Sequence, residues 1–353
     1  MLRTLFLLFL LIISAIGGSS YWIYKNYLTK PLPMFEDLRY VVKPNTNLRQ
    51  ITIDLMDREL MNYPTALAWI SLARFQKRAH LIKAGEYLIQ VGTTPQQMLE
   101  IMISGKIISH KLTIPEGWTF KQILTAIRGH PEIIQTLGNA DNKAIMAAIG
   151  HPNMYPEGRF YPDTYHFTTN TTDVMILKRS YKMMEKVLAE VWKQRKENFL
   201  LKTPYEVLIL ASIVEKETAA VEERPLIAGV FIRRLKEKML LQTDPTVIYA
   251  LGENFDGNLR RKDLKINNPY NTYKYKGLPP TPIAMPGKAA LEATVNPTGG
   301  EALYFVAKGG GKHYFSVTLK EHECAVIEFQ IKNKNLQRYR SRCKKYPNCF
   351  ACS

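Results

Sequence analysis

Twenty-one consecutive uncharged residues, Thr4 to Tyr24 (TLFLLFLLIISAIGGSSYWIY), lie between Arg3 and Lys25 and constrain this chain more than any other feature. As a helix rising ~1.5 Å per residue the run is about 31 Å long, the thickness of a bilayer's hydrocarbon core. An uncleaved transmembrane anchor accounts for the cluster Tyr21, Trp22 and Tyr24, which falls where an interfacial aromatic belt belongs. A cleaved signal peptide, with Ala15-Ile16-Gly17 as its small-x-small site, is the alternative. Arg3 faces Lys25 and Lys30 across the run, so charge alone does not orient it. With nearly all of the chain downstream, a short inside tip and an exported body is the simpler arrangement.

A chain of 353 residues exceeds the usual size of one core, so about two domains are expected. The hydrophobic fraction of 46% and charged fraction of 22% exclude a wholly disordered chain. No repeat runs the full length, which excludes a solenoid. The net charge of +17 suggests an anionic partner: acidic lipid, wall polymer or nucleic acid. No helix-turn-helix, finger or RNP motif accompanies that charge, so nucleic acid is not expected.

Fold class reads as α+β. After the tip and anchor (1–24), residues 25–38 hold prolines and no periodicity and predict a linker. Between 39 and 108 a strand–turn–helix rhythm predicts a small LysM-like module. Tyr40-Val41-Val42 leads into a helix with Leu48, Ile51 and Leu55, and Pro64 to Arg78 forms another. Tyr87-Leu88-Ile89 leads into a third, with Thr94 and Gln97 as a capping box, Pro95 at its start and Gly105 as its stop. A connecting strand–helix segment (109–152) repeats the rhythm: Leu112-Thr113-Ile114, then a helix opened by Thr119 and Gln122. Residues 153–335 read as a second, mixed α+β domain. It opens on loop chemistry that begins at 141 and continues through Tyr161 and Asp163. Helices follow from Val174 to about Phe199, after the N-cap Thr203, from Pro225 to Met239, and after the N-cap Asp244. An aromatic, Pro/Gly-rich stretch (267–286) precedes a hairpin of 303–306 with 313–317 around Gly309-Gly310-Gly311. The tail (336–353) is basic and carries three of the four cysteines, Cys343, Cys349 and Cys352, with Cys324 just before it. Its cysteines suit a zinc knuckle or a disulfide staple, and its charge predicts a solvated, frayed end.

Most enzyme constellations are missing: no phosphate loop, HExxH, nucleophile elbow or EF-hand, and seven histidines without ligand spacing. No metal or cofactor is therefore expected. What stands out is a carboxylate pair closing an apolar helix, Ala211-Ser212-Ile213-Val214-Glu215-Lys216-Glu217-Thr218. At 100° per residue both Glu215 and Glu217 border the apolar face, and helical geometry does not choose between them. A carboxyl beside apolar side chains at the negative end of a helix dipole is held protonated, as a general acid must be.

ASIVEKET, followed in order by RPLIAGVFIRRL, LQTDPTVIYALG, NPYNTY, GLPPTPIAMPG and LYFVA, with EGRFYPDTY upstream, resembles the endolytic murein transglycosylases, the YceG-like family, from about residue 40 to 330. The resemblance implies a peptidoglycan lytic transglycosylase, with Glu217, the second acid of the E-K-E segment, as catalytic residue on a lysozyme-like catalytic helix. Such an enzyme cleaves the MurNAc–GlcNAc β-1,4 bond without water. One carboxyl protonates the leaving oxygen, then deprotonates the sugar's own C6 hydroxyl to close a 1,6-anhydro ring. It further implies action on nascent glycan strands from the periplasmic side of the inner membrane, limiting strand elongation alongside peptidoglycan synthases. Gln242, Asn271, Tyr273, Tyr161 and Asp163 carry the amides, phenols and carboxylate suited to holding sugar. A hydrolytic muramidase and a non-catalytic peptidoglycan-binding scaffold are the alternatives.

Overall fold

A computed structural model describes residues 2–196, 199–332 and 335–352. The chain divides into two compact units, one of residues 1–111 with 166–171, the other of 112–165 with 172–353.

The first unit begins with α1 (Leu2–Ile23), whose apolar side chains from Leu5 to Ile23 are exposed along its length. One π turn (Tyr24–Leu28) continues it, and this is where the helix enters the unit's core. The stretch expected to be a linker is anchored to this core at two positions, while Phe35 within it is exposed. Leu28 and Leu32 are buried against Trp69, Tyr87 and Met98, and Leu32 N–H donates to Thr93 O at 2.9 Å. Apolar residues among the prolines, too few to show a period, explain why the pattern read as linker. Then come β1 (Leu38–Val42), α2 (Leu48–Asp57), α3 (Tyr63–Phe75), β2 (Gly85–Ile89) and α4 (Pro95–Ser104). β1 and β2 are antiparallel, with Tyr40 opposite Tyr87, both buried. Local signals set the helix ends: Asn47 with Gln50 opens α2, Thr94 with Gln97 opens α4, and Gly105 closes α4 at φ +71°. Trp69, fully buried, satisfies its indole N–H on Pro95 O at 2.8 Å.

Two further short strands, β3 (His110–Thr113) and β4 (Thr164–Phe167), pair with each other, and each contains one of the points where the chain passes from one unit to the other.

The second unit is mostly helical: α5 (Phe120–Arg128), α6 (Asn142–Ala148), α7 (Asp173–Lys193), α8 (Pro204–Glu217), α9 (Arg224–Lys236), α10 (Asp244–Leu251) and α11 (Lys288–Val295). α6 lies where loop was expected, because Asp141 caps a turn that buries Ile145 and Met146. At the centre is α8, every residue of which from Val207 to Val214 is buried against α7, α9 and α11. A helix buried all round has no polar stripe to read. The hairpin β5 (Tyr304–Gly309) and β6 (Lys312–Ser316) follows, then α12 (Leu319–Val326) and α13 (Leu336–Lys345).

The tail is not frayed. Disulfides join Cys324 to Cys349 and Cys343 to Cys352, Tyr339 donates to Ala351 O at 2.9 Å, and Arg342 pairs with Glu323 at 2.8 Å. Covalent closure supplies the order that an acid-free helix could not supply by itself.

Candidate active site

α8 is started by Thr203, whose hydroxyl accepts Glu206 N–H while the Glu206 carboxylate reaches back to Thr203 N–H. It stops at Thr218, in extended conformation. Its last turn sends three charged side chains about 100° apart.

Glu215 turns inward. Its carboxylate lies 2.7 Å from Arg224 Nη2 and accepts Gly287 N–H at 2.9 Å, and both charged side chains are only 5% exposed. Glu116 approaches the same guanidinium at 3.4 Å, and a Cβ at Gly287 would collide with it. Lys216 donates to Gly117 O at 3.3 Å.

Glu217 turns into a cleft of about 470 Å³. Its Oε1 accepts a hydrogen bond from the Thr243 hydroxyl, and no ion pair among the described residues includes it. Burial pushes this carboxyl up to about 7. The hydrogen bond from Thr243 and the charge of Arg234 oppose that rise, while Asp244 adds to it. The result is a carboxyl able to hold or release a proton near neutrality.

The loop opposite is tightly held. Arg234, on α9, donates to Leu303 O at 2.6 Å and Leu241 O at 2.9 Å, and reaches Gln242 Oε1 at 3.4 Å. Gln242 N–H donates to Thr272 O at 3.1 Å, with Gln242 at φ +51°, a conformation uncommon outside glycine. Thr243 N–H donates to Thr272 Oγ1 at 3.1 Å, which aims the Thr243 side chain at Glu217. Asp244 departs from the sequence expectation. Thr243 occupies the N-cap position, and Asp244 accepts the Tyr273 hydroxyl at 2.5 Å. Glu217, Gln242, Asp244 and Tyr273 thus line one cleft, with Arg234, His313 and His322 along another part of it. His313 is fixed by Glu223, its Nδ1 at 2.7 Å.

Asn271 is not among them. It is fully buried, its amide donates to Leu264 O and Ile266 O, and its carbonyl accepts Tyr273 N–H at 3.0 Å. Asn271 therefore pins the loop that presents Tyr273. Tyr161 and Asp163 also lie away from this cleft. Tyr161 packs on the α8 core and its carbonyl accepts Tyr165 OH at 2.7 Å, while Asp163 caps its own chain by accepting Thr164 N–H at 2.7 Å.

Two groups escaped the sequence reading. Thr243 stands beside Asp244 in LQTDP, where a cap signal masked it. Glu157, 5% exposed, receives Phe120 N–H at 2.9 Å and Tyr249 OH at 3.1 Å, and burial raises its carboxyl to about 7. It borders a separate cleft of about 660 Å³ with Thr119, Tyr155 and Lys216. Both Glu157 oxygens are already engaged; of Glu217, only Oε1 has a hydrogen-bond partner among the described residues.

The YceG-like family matches residues 40–328. The chain belongs to that family. An endolytic murein transglycosylase of Bacillus subtilis is 34% identical over 280 residues, covering 73% of this chain and 76% of that protein. A protein of the same name from Streptococcus pneumoniae is 30% identical over 368 residues, covering 92% of this chain, which spans 64% of that relative's length. A crystal structure of a yceG-like protein from Listeria monocytogenes matches at 31% identity with a TM-score of 0.48, covering 81% of this chain and 98% of that one. Within the family-matched region lie Glu217, Thr243, Asp244 and Tyr273.

Proposed function

We propose that this YceG-like chain is a peptidoglycan lytic transglycosylase whose single proton shuttle is Glu217. The observation that carries the proposal is the setting of Glu217. It ends a buried helix, faces a cleft, is held by a neutral hydroxyl and titrates near 7. Glu215, two residues away, is committed to Arg224 and Gly287.

In the first step protonated Glu217 gives its proton to the oxygen linking MurNAc to GlcNAc, and the bond from that oxygen to the anomeric carbon breaks. Positive charge then develops at the anomeric carbon, where the substrate's acetamido group or C6 oxygen stabilises it. In the second step the Glu217 carboxylate removes the C6 hydroxyl proton, and that oxygen bonds to the anomeric carbon as a 1,6-anhydro ring. The proton lost returns, and no water is consumed. A conventional glycosidase needs a second carboxylate to activate water or act as nucleophile. In this reading Asp244, which lines the cleft and accepts the Tyr273 hydroxyl, serves to hold Tyr273. Gln242 and Tyr273 are the groups positioned to hold the sugars.

The remaining assignments complete the reading. α1 is a single-pass anchor with both units on the outer side of the membrane. The β1–α2–α3–β2 order of the first unit serves as a LysM-like glycan holder, and the substrate is nascent strand made by nearby synthases. The test is turnover of purified glycan strands by the full chain and by Glu217→Gln and Glu157→Gln. A loss of at least ~10²-fold confined to Glu217→Gln is expected. A comparable loss confined to Glu157→Gln would move the chemistry to the other cleft.

A further inference from the structure

The first unit carries an apolar groove of about 620 Å³ that belongs to neither of the clefts described above. Ile23, Tyr24 and Tyr27 form one wall, at the end of the long apolar helix. α3 forms the other, with Leu67, Ser71 and Phe75. Pro64, Leu67, Ser71 and Phe75 recur at i, i+3, i+7 and i+11, so they lie along one edge of α3. The opposite edge is committed to the core through Ala66, Trp69 and Ala73. The groove edge is bare: Leu67 is 54% and Phe75 89% exposed. An exposed apolar edge of this kind marks a contact surface.

Charge narrows the choice of partner. No acidic residue occurs from Met61 to Ala84, a stretch that holds Arg74, Lys77 and Lys83 besides Arg78, which pairs with Glu100, and none precedes Glu36. Lys25 and Lys30 stand at the helix end. An apolar edge flanked by cations and free of acids is the pattern of a helix lying in an anionic lipid interface. Position agrees with that. α1 has 22 residues, about 33 Å at ~1.5 Å each, so its end at Ile23 comes level with the headgroups if it spans. The groove wall is that same end.

We infer that α3 is a second membrane contact, its Leu67–Phe75 edge resting in the headgroup and upper acyl region of the bilayer that α1 crosses. This rests on the proposed anchor. The groove between α1 and α3 fills with lipid, and Arg74 and Lys77 meet anionic headgroups. With Leu28 and Leu32 buried in the same core, the first unit is seated on the membrane and does not swing on a tether.

The experiment uses the full chain in vesicles of phosphatidylethanolamine and phosphatidylglycerol. One added cysteine carries an environment-sensitive fluorophore, since all four native cysteines are paired. The positions are Leu67→Cys, Phe75→Cys, Ile12→Cys within α1, and Leu88→Cys on the outer face of β2. Blue-shifted emission and quenching by nitroxide-bearing lipids are expected at 12, 67 and 75, and neither at 88. Quenching at 12 with 67 and 75 behaving like 88 would overturn the inference and leave the anchor standing. Absence of quenching at 12 would remove the anchor and the inference together. Protection of 67 and 75 only after other membrane proteins are added would assign the groove to a protein helix and overturn it as well.

Discussion

The Thr243 hydroxyl donates a hydrogen bond to Glu217 Oε1, joining the start of α10 to the end of α8. A donor aimed at a carboxylate favours its charged form, so this contact holds the Glu217 pKa below where burial alone would set it. In the proposed mechanism the acid must begin protonated, and rate falls as pH rises through that pKa. Thr243→Val removes the donor and moves the alkaline limb of the pH–rate profile to higher pH. A limb that stays in place or moves down, measured on glycan strands, would detach Thr243 from the chemistry.

The two carboxylates of the E-K-E turn separate by experiment. Glu215→Gln removes the closer, buried charge partner of Arg224 and leaves only Glu116 at 3.4 Å; breaking a buried pair costs up to ~3–5 kcal/mol. Its unfolding midpoint in denaturant should drop sharply, while the folded fraction keeps its turnover. Glu217→Gln should show the reverse, near-normal stability with turnover lost. Denaturant titration beside initial rates for both variants decides this.

Asn271 and Tyr273 separate in the same way. Asn271→Ala strands two carbonyls and an amide N–H inside the loop, a cost of about 1–3 kcal/mol for each unsatisfied group. Its effect is on melting temperature. Tyr273→Phe removes the hydroxyl held by Asp244, an exposed contact on the wall of the cleft whose loss strands no buried group. If Asp244 orders the cleft, this variant loses roughly 10–100-fold in kcat/KM with little change in melting.

Much of this arrangement is written locally in the sequence. The boxes Thr94–Gln97, Thr119–Gln122 and Thr203–Glu206 are visible because a cap is satisfied within four residues. The Gly309–Gly311 hairpin is visible for the same reason. What escaped depends on distant partners. Glu215 differs from Glu217 only through Arg224 and Gly287, and Asn271 turns inward only because Leu264 and Ile266 leave carbonyls to be met. The short α11 has no side-chain cap, and the order of the tail comes from disulfides that spacing could not pair.

Glu157 and Glu217, both near 7 in the fold, bind protons more tightly there than in an unfolded chain, where a glutamate titrates near ~4.3. Between about pH 4.5 and 7 the folded state therefore holds more protons, and these two groups make stability fall as pH rises. The double variant Glu157→Gln/Glu217→Gln should lose less melting temperature than the unsubstituted chain between about pH 5 and pH 8. Calorimetry across that range reads the difference; parallel curves would mean that neither carboxyl is displaced.

Isotope-labelled water tests the central claim most directly. The full chain is incubated with purified glycan strands in water enriched in heavy oxygen, and the new chain ends are weighed by mass spectrometry. A single carboxyl returning its proton from the C6 hydroxyl predicts ends lighter than a reducing end by one water and free of the label. Labelled reducing ends would show that water attacks the anomeric carbon, and the chain would then be a hydrolase.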